Sequence, residues 1–298
     1  MVMINRTSLT LLRLCTAVLL GLSMTAAANA SPAADALRAK QAAIADRLAN
    51  NDFQRPLYLE STQTSGDLMG DVYAVVDHPF ATVDAALKGA DVWCDVLILH
   101  LNVKQCRASG GPPSNTLAVA LGKKHDQAVE DAYLLNLAYE LTSSKPDYFK
   151  VLLTSKEGPL GTSNYRIIVE AAPLDVRRSF LHMSYAYGYG FAARVAMQSY
   201  LATVGRSKVG FSIVDKKSDG QPVYVDNVRG VIERNTMRYY LAIDAFLSAV
   251  DLPQAQRQEH RLREWYSATE RYPRQLHEME QDDYLAMKRK EIARQKGI

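Results

Sequence analysis

Residues 69–107 read MGDVYAVVDHPFATVDAALKGADVWCDVLILHLNVKQCR, and this stretch decides the fold. Gly70 to Val76 is rich in Val and Tyr, the composition of a strand. It runs into Asp77-His78-Pro79. Proline is tolerated at the first helical position, because its missing N–H would go unpaired there anyway. Phe80, Val83, Ala86 and Leu87 then share one helical stripe, which Lys88-Gly89 ends. A second short helix over Asp91 to Leu97 turns Trp93, Val96 and Leu97 toward an apolar interior. From His100 a further strand is predicted, with Leu101 and Val103 alternating with Asn102 and Lys104.

Downstream the alternation continues. Leu117, Val119 and Leu121 form one row, and Tyr133, Leu135, Leu137, Tyr139 and Leu141 another. Phe149, Val151 and Leu153 follow, then Tyr165, Ile167 and Val169, then Leu181, Met183, Tyr185, Tyr187 and Tyr189. Repeated period-2 segments joined by short turns predict an antiparallel sheet with one buried face. Lys150, Arg166 and Glu170 fall on the other face, and the inner face is almost free of charge. Upstream, Arg55 to Ser61 reads as the first strand, and Ser31 to Asn51 as a helix with Leu37, Gln41, Ile44 and Leu48 on a narrow stripe, suited to the outside of a domain.

After the sheet, Phe191 to Val204 reads as a helix and Lys208 to Val214 as a strand. Asp226 is a good N-cap for a long helix from Asn227 to Val250, with Val228, Ile232, Tyr239, Ile243, Phe246 and Val250 on its apolar side. Glu233, Arg234 and Arg238 near its start read as a solvated face or an ion-pair network over a cavity mouth. In the tail, Leu262, Trp265, Tyr266 and Thr269 mark a docked helix, and Tyr284 to Gln295 reads as a solvated helix with a frayed end. The expected class is α+β: a curved antiparallel sheet gripping a long helix, plus an extra helix and a helical extension. The expected divisions are a signal peptide over 1–30, an N-terminal helix over 31–54, the main domain over 55–250 and the extension over 251–298.

The signal peptide rests on Arg6 and Arg13, the apolar run Leu14 to Leu22, and Ala28-Asn29-Ala30, with cleavage expected after Ala30 and a periplasmic destination. An uncleaved anchor is the alternative, against which the run is short of the roughly 20 residues a span needs. The chain has 35 Lys+Arg and 32 Asp+Glu, two of the basic residues lying in that leader, so the mature charge is near neutral, which argues against a general nucleic-acid binder. Beyond Cys15, Cys94 and Cys106 remain, an even pair that suits a disulfide in an oxidising compartment. Two separate buried thiols are the other reading.

No Gly-x-Ser-x-Gly elbow, no phosphate-binding Gly-x-x-x-x-Gly-Lys loop and no His-Glu-x-x-His pair occurs. No metal site or cofactor is expected. His100 and His182 are each read as buried, hydrogen-bonded histidines or, on the sharper reading, as groups that meet a polar ligand or move a proton. His182 falls on the face opposite the tyrosine row. Tyr185, Tyr187 and Tyr189, with Tyr239 and Tyr240, are core packing or a cavity wall.

The segment DVYAVVDHPFATVDAALKGADVW, the meander after it and the long helix from Asn227 together resemble the START-like, or SRPBCC, superfamily. The resemblance covers about Arg55 to Val250 and is one of architecture, with no catalytic signature. It implies a helix-grip fold with a hydrophobic tunnel between sheet and long helix, in a family whose members bind lipids, sterols or polyketides and in some cases catalyse cyclisation. The positions it places toward the cavity are Trp93, Tyr185, Tyr187 and Tyr239. The helix at Phe191 and the tail depart from simple members. The function expected is an exported binding or carrier protein for a hydrophobic, lipid-like ligand. The alternatives are a cavity enzyme of cyclase or hydrolase type, and an envelope scaffold. Partners expected besides the ligand are a transient membrane contact and a protein bound through the tail.

Overall fold

The computed structural model describes residues 31–111, 114–203 and 208–297. The leader and its cleavage site lie outside the described residues. Helices α1 (Pro32–Ala43) and α2 (Ala45–Ala49) lead into strands β1 (Leu57–Gln63) and β2 (Asp67–Val76), helices α3 (Phe80–Leu87) and α4 (Val92–Leu97), and strands β3 (Val103–Gly111), β4 (Ser114–Leu121), β5 (Tyr133–Lys145), β6 (Tyr148–Glu157), β7 (Thr162–Pro173) and β8 (Ser179–Tyr189). Then come α5 (Phe191–Ala202), the short strands β9 (Ile213–Lys216) and β10 (Pro222–Tyr224), and helices α6 (Asn227–Leu247), α7 (Gln254–Glu270), α8 (Pro273–Leu276) and α9 (Gln281–Lys296).

Eight strands form one antiparallel sheet in the order β1-β2-β8-β7-β6-β5-β4-β3, and α6 packs across β1, β2 and β8. This is the helix grip. The buried rows are those the alternation marked: Leu117 and Val119, Phe149, Val151 and Leu153, and Met183, Tyr185, Tyr187 and Tyr189. Gly70 sits where helix and strand come closest; a Cβ there would lie 2.3 Å from the Thr236 hydroxyl, so no side chain fits without movement. On the outer face, α1 and α2 bury Ala34, Leu37, Ile44 and Leu48 against Tyr73, Tyr148 and Phe180.

Four expectations are corrected. Lys208 to Val214 is no strand of the main sheet; Ile213–Lys216 pairs instead with Pro222–Tyr224 in a separate two-stranded ribbon. His100 begins no strand: Ile98 to Asn102 is a turn running on from α4, with the His100 N–H bonded to the Leu97 carbonyl. Glu233, Arg234 and Arg238 are buried, not solvated. Glu233 accepts from the Ser61 hydroxyl at 2.5 Å, the Phe211 and Ser212 amides at 2.6 and 2.8 Å, and the Ser212 hydroxyl at 2.6 Å. Finally, α9 is not a solvated tail. It buries Tyr284, Leu285, Met287, Lys288, Glu291 and Ile292 and lies along the edge strand β3, whose exposed backbone would otherwise invite pairing with another chain.

Cys94 and Cys106 are joined by a disulfide, with Cα atoms 5.1 Å apart. The bridge ties α4 to β3 and closes the loop that carries His100. No helix among the described residues is long and apolar enough to cross a membrane. Among the described residues no group of three or more His, Cys, Asp or Glu is placed to hold a metal ion.

Candidate functional site

A cleft of about 390 Å³ opens between the sheet and α6. Tyr185 of β8 and Tyr239 and Asn235 of α6 line it. His100 and Asn102 reach it from the turn after α4, Lys123 and Gln127 from the loop after β4, Asp131 from the helical turn before β5 and Tyr133 from the start of that strand. Leu160 completes the lip; it is half-exposed, with φ of 57°, in the turn before β7.

His100 is fixed by its surroundings. Its ring stacks on Tyr239 with centroids 4.6 Å apart. Its Nδ1 accepts the Asn102 backbone N–H at 3.1 Å, so in the neutral ring the proton sits on Nε2. That Nε2 is buried and has no partner among the described residues. Burial, and then the nearby charges of Arg238, Lys288, Lys124 and Lys104, hold the imidazole well below its ordinary range, so it is neutral at physiological pH. An unmet buried donor costs about 1–3 kcal/mol, which marks the position as a place where an acceptor would be welcome.

Tyr185 and Tyr239 meet edge-to-face, with centroids 5.1 Å apart. Burial, and then neighbouring phenols, push both hydroxyls up and keep them protonated. Neither hydroxyl has a hydrogen-bond partner among the described residues. The cleft therefore offers three neutral donors, His100, Tyr185 and Tyr239, beside the polar side chains of Asn102, Lys123, Gln127, Asp131 and Asn235.

Beneath His100 lies a buried charge cluster. Lys288 donates to the His100 and Val103 carbonyls at 2.7 and 2.8 Å and to Glu291 at 2.7 Å. Lys104 donates to the Leu101 carbonyl and to Glu291, both at 3.0 Å. Arg238 and Lys124 both pair with Glu278, at 2.7 and 2.5 Å. Desolvation brings Lys288 and Lys124 down to about 8, so both remain cationic at neutral pH.

The residues singled out from sequence are distributed as follows. Tyr185 and Tyr239 line the cleft. Tyr187 stacks on Tyr165 at 5.3 Å and borders a separate groove with Met69 and Arg166. Trp93 is buried in the core, its indole N–H donating to the Leu87 carbonyl at 2.9 Å. His182 lies on the outer face, between the Asp71 and Glu170 carboxylates. Sequence reasoning passed over Asn235, Asp131 and Lys123. Asn235 stands one turn before Tyr239 on α6, and that spacing is the signal that could have found it.

No family model matches the chain, and no curated protein matches it. Among solved structures, norcoclaurine synthase from Thalictrum flavum is similar at 14% identity over 48% of this chain and 86% of that one, with a TM-score of 0.33. The Zhui aromatase/cyclase from Streptomyces sp. R1128 is 9% identical over 66% of this chain and 98% of that one, with a TM-score of 0.36. A START superfamily protein from Mycobacterium smegmatis is 13% identical over 46% of this chain and 88% of that one, with a TM-score of 0.32. Similarities of this size transfer neither a substrate nor a mechanism.

Proposed function

We propose that this chain binds a small apolar molecule bearing an oxygen acceptor in the cleft between the sheet and α6, and that it acts on that molecule rather than only carrying it. The observation behind this reading is His100, a neutral ring on the cleft wall whose buried Nε2–H lacks a partner among the described residues. A carbonyl oxygen placed there would meet that donor, with the Tyr185 and Tyr239 hydroxyls on the same wall. Donors aimed at an oxygen that gains charge are worth most in a site shielded from water. Asp131, at the rim, is the carboxylate available as a base. This donor set suits proton removal next to a carbonyl, the kind of step that precedes ring closure, and supports the cyclase-type alternative over simple carriage.

Carriage of a lipid-like ligand is the second reading, supported by the apolar inner face. A cleft of about 390 Å³ lies toward the small end of ligand sites, which span about 300–1,000 Å³, and suits a compact molecule better than a long acyl chain. The leader pattern over 1–30 supports export to the bacterial periplasm.

The test is nuclear magnetic resonance of 2-acetonaphthone with the purified protein in D2O. Line broadening of the ketone, with methyl exchange faster than in buffer and lost in Asp131→Asn, is the expected result. Broadening without faster exchange leaves a binder. Neither effect removes the cleft as a site for such molecules.

A further inference from the structure

We infer that hydrolysis of the peptide bond between Ala30 and Ser31 leaves an α-ammonium that docks on the Asp147 carboxylate, so that the fold carries a receptor for its own processed terminus. The inference rests on the leader reading above and adds to it what the new chain end does. The Ser31 backbone N–H donates to Asp147 Oδ2 at 2.7 Å, across 116 positions of sequence. Asp147 stands in the turn between β5 and β6, with its side chain one-quarter exposed. Ser31 is also the N-cap of α1: its hydroxyl accepts the Ala34 N–H at 3.2 Å, and its carbonyl accepts the Asp35 N–H at 3.0 Å. Pro32 takes the first helical position, where no donor is needed. The helix therefore begins at the residue after the cut, and an end of the kind that usually frays is tied down through its nitrogen, carbonyl and hydroxyl.

The cut changes one of these attachments. Water adds across the amide, Ala30 departs as a carboxylate, and the Ser31 nitrogen takes up protons and becomes cationic. The amide offers Asp147 one N–H and no charge; the ammonium offers a full charge and further N–H groups. Hydrogen bonds between charged partners are roughly twice as strong as neutral ones. The new charge needs this carboxylate, because a cation at a helix N-terminus opposes the helix dipole. Asp35, in the first turn of α1, is engaged with Arg38 at 3.1 Å, and Arg38 lies 3.9 Å from Asp147, a longer contact than that of Ser31. Beneath α1, Glu170 bonds Tyr148 and His182, and Lys40 of α1 itself pairs with Glu60. Loss of the leader thus strengthens the hold of α1 on the outer face of the sheet, and the processed chain is the more stable form.

The test uses the full-length gene product exported to the periplasm, with and without Asp147→Asn. Asparagine keeps an oxygen to accept the Ser31 N–H and removes only the charge. Intact mass should show a chain that begins at Ser31. The docked ammonium has a pKa above that of a free α-amine, so its stabilisation is fully present below about 8 and is lost as pH rises through the folded value. Asp147→Asn should therefore lower Tm by about 2–3 °C at pH 6.5 and by less than about 1 °C at pH 10. The other charged groups are common to both proteins and cancel in the comparison. In unaltered protein carrying 13C-labelled serine, the Ser31 Cα shift should titrate above about 8. A chain that begins at another residue overturns the cleavage point and the dock together. A chain that begins at Ser31, with a Tm loss that is absent or equal at the two pH values, or with an ordinary titration of Ser31, overturns the dock and leaves the leader reading standing.

Discussion

Two histidines lie on opposite sides of one sheet and have opposite fates. His182, on the outer side, gives Nδ1 to Glu170 at 2.8 Å and Nε2 to Asp71 at 2.9 Å, and stacks on Tyr73 at 4.3 Å. Burial works against its charge, but the two carboxylates outweigh burial and raise its pKa. His100, on the inner side, has one nitrogen satisfied and, among the described residues, one not, and is held neutral by burial and then by nearby cations. Both rings are largely buried. The difference lies in whether the protein completes the hydrogen bonds itself. Where it does, the group is part of the structure; where it does not, the missing partner points to something from outside.

The comparison can be broken or sharpened in order of effect. The largest effect is expected beneath His100. Glu291→Ala would leave Lys104 and Lys288 buried without their shared carboxylate, a loss of about 3–5 kcal/mol. Urea denaturation measures it, and a loss under 1 kcal/mol would mean that water reaches the cluster. Next is the Cys94–Cys106 bridge, which closes the loop holding His100. Cys94→Ala with Cys106→Ala should cost about 3 kcal/mol by loop entropy and loosen the cleft, with a fall in affinity for 2-acetonaphthone. His182→Leu should cost about 2 kcal/mol, because its partners keep some exposure and part of the penalty is relieved by water, and it should leave cleft binding unchanged.

The same pair makes a prediction about pH. His182 has a folded pKa above its unfolded value, so its stabilisation is fully present below about 6.5 and is lost as pH rises through the folded value. His100 has a folded pKa well below its unfolded value, so burial of its neutral ring carries no penalty above about 6.5 and a growing one as pH falls, when the unfolded chain takes the proton. Between pH 8 and pH 5, His182→Leu should therefore become more destabilising and His100→Phe less so. Denaturation curves for the two variants across that range should diverge in sign; a parallel response would refute the contrast.

Much of this was legible in the sequence, and the exceptions have physical reasons. Alternation at Phe149-Val151-Leu153 and at Tyr185-Tyr187-Tyr189 exposed the sheet, because a half-buried strand writes its two faces into the chain with period two. The long stripe from Val228 to Phe246 exposed the gripped helix. Lys288 and Glu291, three residues apart on a charged helix, had the pattern of a solvent-facing pair. They are buried because the turn from His100 to Val103 leaves carbonyls that Lys288 satisfies, a need created by a distant part of the chain. Glu233 was misread for the same reason: its donors at Ser61, Phe211 and Ser212 come from segments that no local pattern links to α6. The cleft was half legible. Tyr185 and Tyr239 stood out as aromatic rows, whereas the unmet nitrogen of His100 exists only once Asn102 has taken the other one.

The smallest expected effect on stability is the most informative. His100→Phe keeps a ring stacked on Tyr239, and removes a buried donor that no group among the described residues answers. Loss of the Nδ1 contact leaves the Asn102 N–H unpaired, a cost of about 1–3 kcal/mol; removal of the unmet Nε2–H returns a similar amount. The net change should lie within about 1 kcal/mol at pH 7.5, while binding of 2-acetonaphthone in the cleft weakens. A protein that loses binding without losing stability at this position keeps His100 for a ligand. If the variant instead unfolds by several kcal/mol, Nε2 meets a partner inside the folded chain, and the inner histidine is as structural as the outer one.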